Sequence, residues 1–148
     1  MCPKNIKFPP TLFTLQQSAC IIKLYLGKFM IIGHGIDIVD LKRFYKMNYN
    51  RLKKLALRIC TEKEFTEFVQ HENKHQYVGK IWAAKEAISK AFGTGIRNNV
   101  TWKNMQIESN EYGKPCVWLN ECLSGPICHL SISHEKDFLI ASVILDTK

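Results

Sequence analysis

The first 29 residues of this chain contain no acid and no arginine, and no apolar run anywhere is long enough to span a bilayer. A spanning helix wants about 20 mostly apolar residues. The nearest candidate, Thr11 to Leu26, is broken by Gln16-Gln17 and Lys23, so no membrane span is expected. Zinc-type cysteine pairs are also missing. Cys2, Cys20, Cys60, Cys116, Cys122 and Cys128 form no C-x-x-C, and the five-residue gaps among the last three match no common zinc pattern. They read as reduced, small hydrophobic residues. There is no internal repeat and no low-complexity segment. Acid is scarce overall, with 13 Asp+Glu against 21 Lys+Arg and a net charge of +8. Such a balance suits an acidic partner: nucleic acid, anionic lipid, a phosphorylated small molecule or an acidic protein.

What is present is enough for one domain. At 148 residues, 46% hydrophobic and 23% charged, the chain can build a core and is not disordered. Residues 1–29 stand apart, with Lys4, Lys7, Lys23 and Lys28 as their only charges. Basic, acid-free and weakly amphipathic, this segment reads as a targeting presequence, and its lack of arginine counts against a mitochondrial one. The expectation is a plastid-like organelle of the apicoplast type. If the segment is a plain tail, or Met30 is the true start, the expectation is the cytoplasm. The working domain is then 30–148.

Met30 to Val39, MIIGHGIDIV, reads as a buried first strand. Alternation sets Asp37 on the face opposite Ile36 and Ile38. A carboxylate there needs a cation or hydrogen-bond donors unless it meets water or caps the next helix. Asp40 is a second cap candidate, for Leu41-Lys42-Arg43-Phe44. From Asp40 to Ile59 the pattern is helical and basic, with Lys42, Arg43, Lys46, Arg51, Lys53, Lys54 and Arg58. Charge runs of this kind are commonly solvated faces. Here Phe44, Met47, Leu52 and Leu55 are interleaved, which suits docking on an acidic amphipathic partner. Thr61 to Glu64 is a capping-box pattern opening another helix.

A long helix follows the polar break at 71–75 and ends in Trp82 to Gly95, WAAKEAISKAFGTG. Tyr77, Ile81, Ala84, Ile88 and Ala91 form one apolar stripe. Trp82, Glu86, Ser89 and Lys90 share a second face, with Glu86 and Lys90 one turn apart. Gly93-Thr94-Gly95 supplies a helix stop and a backbone that a ligand can approach. Short strands follow: Met105 to Glu108, Val117 to Leu119, Cys128 to Ser133 and Phe138 to Leu145. The order strand, helices, strands predicts an α+β fold, an antiparallel sheet packed against the long helix.

Two carboxylates, Asp37 and Glu86, brought together from strand and helix would repel unless a cation lay between them. Oxygen ligands without Cys or His favour Mg²⁺, which keeps waters and takes one or two carboxylates plus substrate phosphates. Lys90 and the amides of Gly93 to Gly95 would serve the phosphate oxygens. The competing reading is an ordinary Glu/Lys helix support. A nucleic-acid module would want aromatics interleaved on the basic face. Trp82 belongs instead to the motif helix and Trp118 to a strand, so no nucleic-acid partner is expected.

The segment Gly35-Ile36-Asp37-Ile38-Val39-Asp40-Leu41-Lys42-Arg43 and the stretch Trp82 to Gly95 resemble the two signature motifs of the 4′-phosphopantetheinyl transferases, in their short holo-acyl-carrier-protein synthase type. The resemblance spans Met30 to about Leu145, including the Gly113-Lys114-Pro115 turn and the His129 to His134 strand. It implies transfer of the phosphopantetheine arm of coenzyme A to a serine of an acyl carrier protein, in fatty acid biosynthesis. It implies Asp37 and Glu86 as Mg²⁺ ligands, with Glu86, Lys90 and Asp37 as the catalytic set. It also implies Lys90, Gly93, Thr94, Gly95 and His129 along the coenzyme A. Arg43, Met47, Arg51, Lys53 and Lys54 match the surface that receives the carrier protein. The short type is similar to a homotrimer with sites between subunits, where Arg97 or the segment near Asn98 would serve a neighbour. Two departures stand out: His34, where the family more often has a small or aliphatic residue, and the 29-residue extension. A non-catalytic coenzyme A-binding homologue is the alternative, and intact Asp37, Glu86 and Lys90 argue against it.

Overall fold

The computed structural model describes Met30–Asn120, Leu123 and Gly125–Thr147, so the presequence reading of residues 1–29 lies outside the described residues. The element order is β1 (Ile31–Asp40), α1 (Lys42–Tyr45), α2 (Tyr49–Ile59), α3 (Glu62–Gln70), α4 (Lys74–Ala91), a 3₁₀ turn (Trp102–Asn104), β2 (Met105–Ser109), β3 (Pro115–Leu119), β4 (Ile127–Glu135) and β5 (Phe138–Asp146). The fold is α+β. β1, β5 and β4 make an antiparallel sheet in that order, and β2 and β3 make a separate hairpin lying beside β4.

The long helix α4 is the centre of the unit. Its Tyr77, Ile81, Ala84, Ile88 and Ala91 stripe is buried, and Val78, Ala83, Lys85, Ala87 and Ser89 are buried as well. Both faces must therefore be covered: the sheet takes one, and α1, α2, α3 and β2 take the rest. Asn73 caps the helix by accepting from the Gln76 N–H. It stops where Gly93 enters the left-handed region, at φ +73°, a conformation that glycine alone adopts without penalty.

One expectation needs correction. β1 is not a buried strand but an edge strand, with Ile36 and Ile38 53% and 62% exposed. Its inner face is the glycine-rich one, carrying Gly33, Gly35, Asp37 and Val39 against α4. The apolar isoleucines point outward because the helix comes too close to the inner side for a large residue. The basic stretch from Asp40 to Ile59 is helical, as expected, and forms two helices. The Asn48 side chain accepts from the Arg51 N–H and starts α2 afresh. Asp40 does act as a cap, its Oδ1 accepting from the Lys42 N–H at 2.9 Å. The capping box at α3 is complete in both directions, Thr61 to Glu64 and back.

Candidate active site

The approach of β1 to α4 builds the site. A Cβ on Gly33 would stand 2.2 Å from the Ala91 carbonyl oxygen, and one on Gly35 would stand 2.0 Å from that of Ala87. Glycine on the strand and alanine on the helix let the two backbones nearly touch. Across that contact the Lys90 ammonium donates to Asp37 Oδ1 at 2.8 Å and to the Ile36 carbonyl at 3.0 Å. Lys90 thus pairs across to the strand, not down its own helix to Glu86 as the four-residue spacing suggested.

Glu86 lies half-buried one turn before Lys90. Its carboxyl is pushed above the usual carboxylate range, first by burial and next by the negative charge of Asp37; Lys90, the Ser89 hydroxyl and Arg43 pull the other way. The structure therefore brings Asp37, Glu86 and Lys90 into one field. Two carboxylates straining against each other with oxygen donors alone fit a hard divalent cation whose other ligands are phosphate and water. Among the described residues no group of three or more His, Cys, Asp or Glu offers a self-sufficient metal cage.

Beyond Lys90 the glycine turn closes the helix. The Gly93 N–H donates to the Lys90 carbonyl and the Gly95 N–H to that of Ser89. Those two amides are engaged, so they are not the phosphate donors the sequence suggested. What the turn offers is room: Gly93 and Gly95 both have positive φ, and nothing lies within 4 Å of a Cβ built on either. On the other side of Glu86, the Arg43 guanidinium stacks over the Trp82 ring at 5.1 Å, and Trp82 leans on Trp102 with centroids 5.0 Å apart. Cation–π stacking of this kind holds an exposed arginine in place.

Residues 33–143 match the model of the 4′-phosphopantetheinyl transferase superfamily. The chain belongs to that superfamily. A holo-[acyl-carrier-protein] synthase of Bacillus mycoides is 41% identical over 120 residues, covering 80% of this chain and 98% of that protein. The crystal structure of the synthase from Neisseria meningitidis superposes with a TM-score of 0.73 at 39% identity, covering 78% of this chain and 98% of that one. That of the Bacillus anthracis synthase, in complex with CoA (3′,5′-ADP), gives 0.72 at 37%, covering 80% and 99%.

As a 4′-phosphopantetheinyl transferase, the chain places its other expected site residues less simply. Arg43, Arg51, Lys53 and Lys54 are exposed on α1 and α2, with Met47 half-buried between the two helices, and Arg43 lies against Trp82. Arg97 and Asn98 are exposed in the turn after Gly95. His129 does not join Asp37. It projects from the outer sheet face, in register with Ile144 and His34, 4.0 Å from Asp146, while Asp37 faces inward. Cys60, Cys116 and Cys128 are free thiols, and burial pushes Cys60 and Cys128 up to about 12, so they are inert, as expected.

Two features escaped the sequence. His134, also in the motif strand, faces inward with His71, Gln76, Tyr77 and Lys80 around a cavity of about 160 Å³. His71 Nδ1 is buried without a partner there. Strand alternation alone separates His134 from His129 only by an odd spacing, the one signal available. The second is an ion pair, Lys85 to Glu64, with both side chains 0% exposed. Nothing in a Lys-Glu dipeptide on a helix tells which of the two is buried.

Proposed function

We propose that this chain is a holo-acyl-carrier-protein synthase that moves the 4′-phosphopantetheine arm of coenzyme A onto a serine of apo acyl carrier protein, for fatty acid biosynthesis. The observation that carries the reading is the meeting of Asp37, Glu86 and Lys90 across the β1–α4 contact, within a chain matching the family from residue 33 to 143.

The serine oxygen attacks the phosphorus bearing the arm, the P–O bond to adenosine 3′,5′-bisphosphate breaks, and the serine proton leaves. Mg²⁺, held by Asp37 and Glu86, would neutralise the pyrophosphate and the departing bisphosphate. Lys90, now on Asp37, reaches the same oxygens with a second positive charge and stabilises charge that develops on them. Glu86 is the proton acceptor. Asp37 Oδ1 already accepts from the Lys90 ammonium, which leaves Glu86 as the carboxylate without that partner. Thr94 and the open backbone of Gly93 and Gly95 let the nucleotide end lie close. The basic side of α1 and α2 draws in the acidic carrier protein.

The active form is a homotrimer. Ile36, Ile38, Phe138, Ile140 and Ile144 leave an apolar sheet face uncovered, each between 37% and 62% exposed, larger than isolated surface residues explain. A second copy covering this face would bring His129 to a neighbour's coenzyme A. Residues 1–29, which precede the family match, act as a presequence for a plastid-like organelle. Locating a fluorescent fusion of that segment tests this, and a cytosolic signal would refute it.

The decisive assay is the mass of apo carrier protein after incubation with coenzyme A and Mg²⁺. Gain of one phosphopantetheine is expected. No gain at any enzyme concentration would leave the binding-only homologue.

A further inference from the structure

We propose that the buried Lys85–Glu64 pair is a positioning device that fixes the Trp82–Arg43 platform beside Glu86 and ties it to the end of α2; this deepens the transferase reading and rests on it. Lys85 follows Ala84 in the core stripe and precedes Glu86, about 100° further round the helix. Its ammonium uses all three donors inside the protein: Glu64 Oε2 at 2.6 Å, the Trp102 carbonyl at 2.7 Å and the Ile59 carbonyl at 2.8 Å. Glu64 is equally engaged. Oε2 also accepts from the Thr61 N–H at 2.7 Å, and Oε1 accepts from the Ile107 N–H at 2.8 Å.

The pair is wholly buried, and each partner is held by hydrogen bonds inside the protein. Stability alone is a poor reason for such a pair, since apolar residues of like volume commonly do as well. What apolar residues cannot do is pin particular carbonyls. The two that Lys85 holds belong to Ile59, at the end of the basic helix α2, and to Trp102. The Trp102 ring carries Trp82, Trp82 carries the Arg43 guanidinium, and Arg43 is among the charges that act on Glu86. One buried ion pair thus sets both the rotation of α4 that aims Glu86 and the seat of the arginine at the partner's entrance.

The test is the double variant Lys85→Met/Glu64→Gln, which removes both charges and keeps volume and one of the two acceptor oxygens that hold the Thr61 and Ile107 amides. Folding is checked by far-UV circular dichroism, and kcat/KM is measured separately for carrier protein and coenzyme A. The expected result is a loss of at least about tenfold for carrier protein, since small displacements of positioning groups cost that much or more, with the coenzyme A KM within about twofold. A folded double variant with wild-type carrier kcat/KM would overturn the proposal. Trp82→Leu provides a second arm should the double variant not fold. It leaves the ion pair intact and should reproduce the carrier-specific loss; wild-type behaviour there breaks the link equally. Failure of the wild-type enzyme to modify carrier protein would instead sink the transferase reading itself.

Discussion

Glu86 sits in a conflict that the active site needs and the empty fold does not. Its carboxyl is raised in the folded protein by burial and by Asp37. An acid raised on folding contributes stability below its unfolded value, and that contribution is lost as pH climbs through the folded value. At neutral pH the metal-free protein therefore carries the penalty of a charged Glu86. Glu86→Gln should melt at a higher temperature than wild type without divalent ions, yet lose transfer by about a thousandfold or more, the scale of removing a principal electrostatic group. Adding Mg²⁺ with coenzyme A should raise the melting temperature of wild type and not of the variant; equal shifts would refute the ligand assignment. Asp37→Ala should lose transfer comparably and release Lys90 from its 2.8 Å contact. At this scale the sequence was informative about identity and poor about direction. Asp37, Glu86 and Lys90 were legible from their motifs. The Lys90–Asp37 pairing was not, because the four-residue spacing points to the helix neighbour and says nothing of a strand alongside.

The contact between β1 and α4 depends on two residues with no side chain. Gly35→Ala would set a Cβ 2.0 Å from the Ala87 carbonyl and 2.5 Å from the Ala91 N–H nitrogen, and both are backbone that cannot rotate away. Overpacking of this kind costs about 1–3 kcal/mol. The cost in function should be larger, because the displaced strand carries Asp37 and the displaced helix carries Glu86 and Lys90. Denaturant unfolding of Gly35→Ala together with the carrier mass shift checks both; a destabilised variant with full transfer would show that the spacing does not matter to the site. Elements were read well where one period dominated: the α4 stripe, the capping box at Thr61 and the strands β2 to β5 all lie close to where pattern placed them. β1 was read as buried because its isoleucines are apolar. Whether such a strand is central or at an edge depends on which strands pair with it, and only the order β1-β5-β4 decides that.

For the whole molecule the same edge has a consequence. Ile38 lies beside Ile140, next to the Asp40–Phe138 row, on a sheet face that no described residue covers. Within one copy Asp37 faces the helix and His129 faces away, so a site needing both cannot close in a monomer. A C3 arrangement would resolve both facts, since each copy would hide its isoleucines against a neighbour and lend that neighbour its His129. Ile38→Asp should then place a charge in that interface. The variant should stay folded by circular dichroism, run as a monomer by light scattering where wild type runs as a trimer, and lose transfer although Asp37, Glu86 and Lys90 are intact. Its loss should be insensitive to salt, whereas the wild-type kcat/KM for carrier protein should fall as ionic strength shortens screening to about 8 Å and below, because the net charge, +4 once the four lysines of residues 1–29 are set aside, acts on encounter and not on assembly. A monomeric Ile38→Asp with undiminished transfer would show that one copy holds a complete site, and would remove both the trimer and His129 from the mechanism.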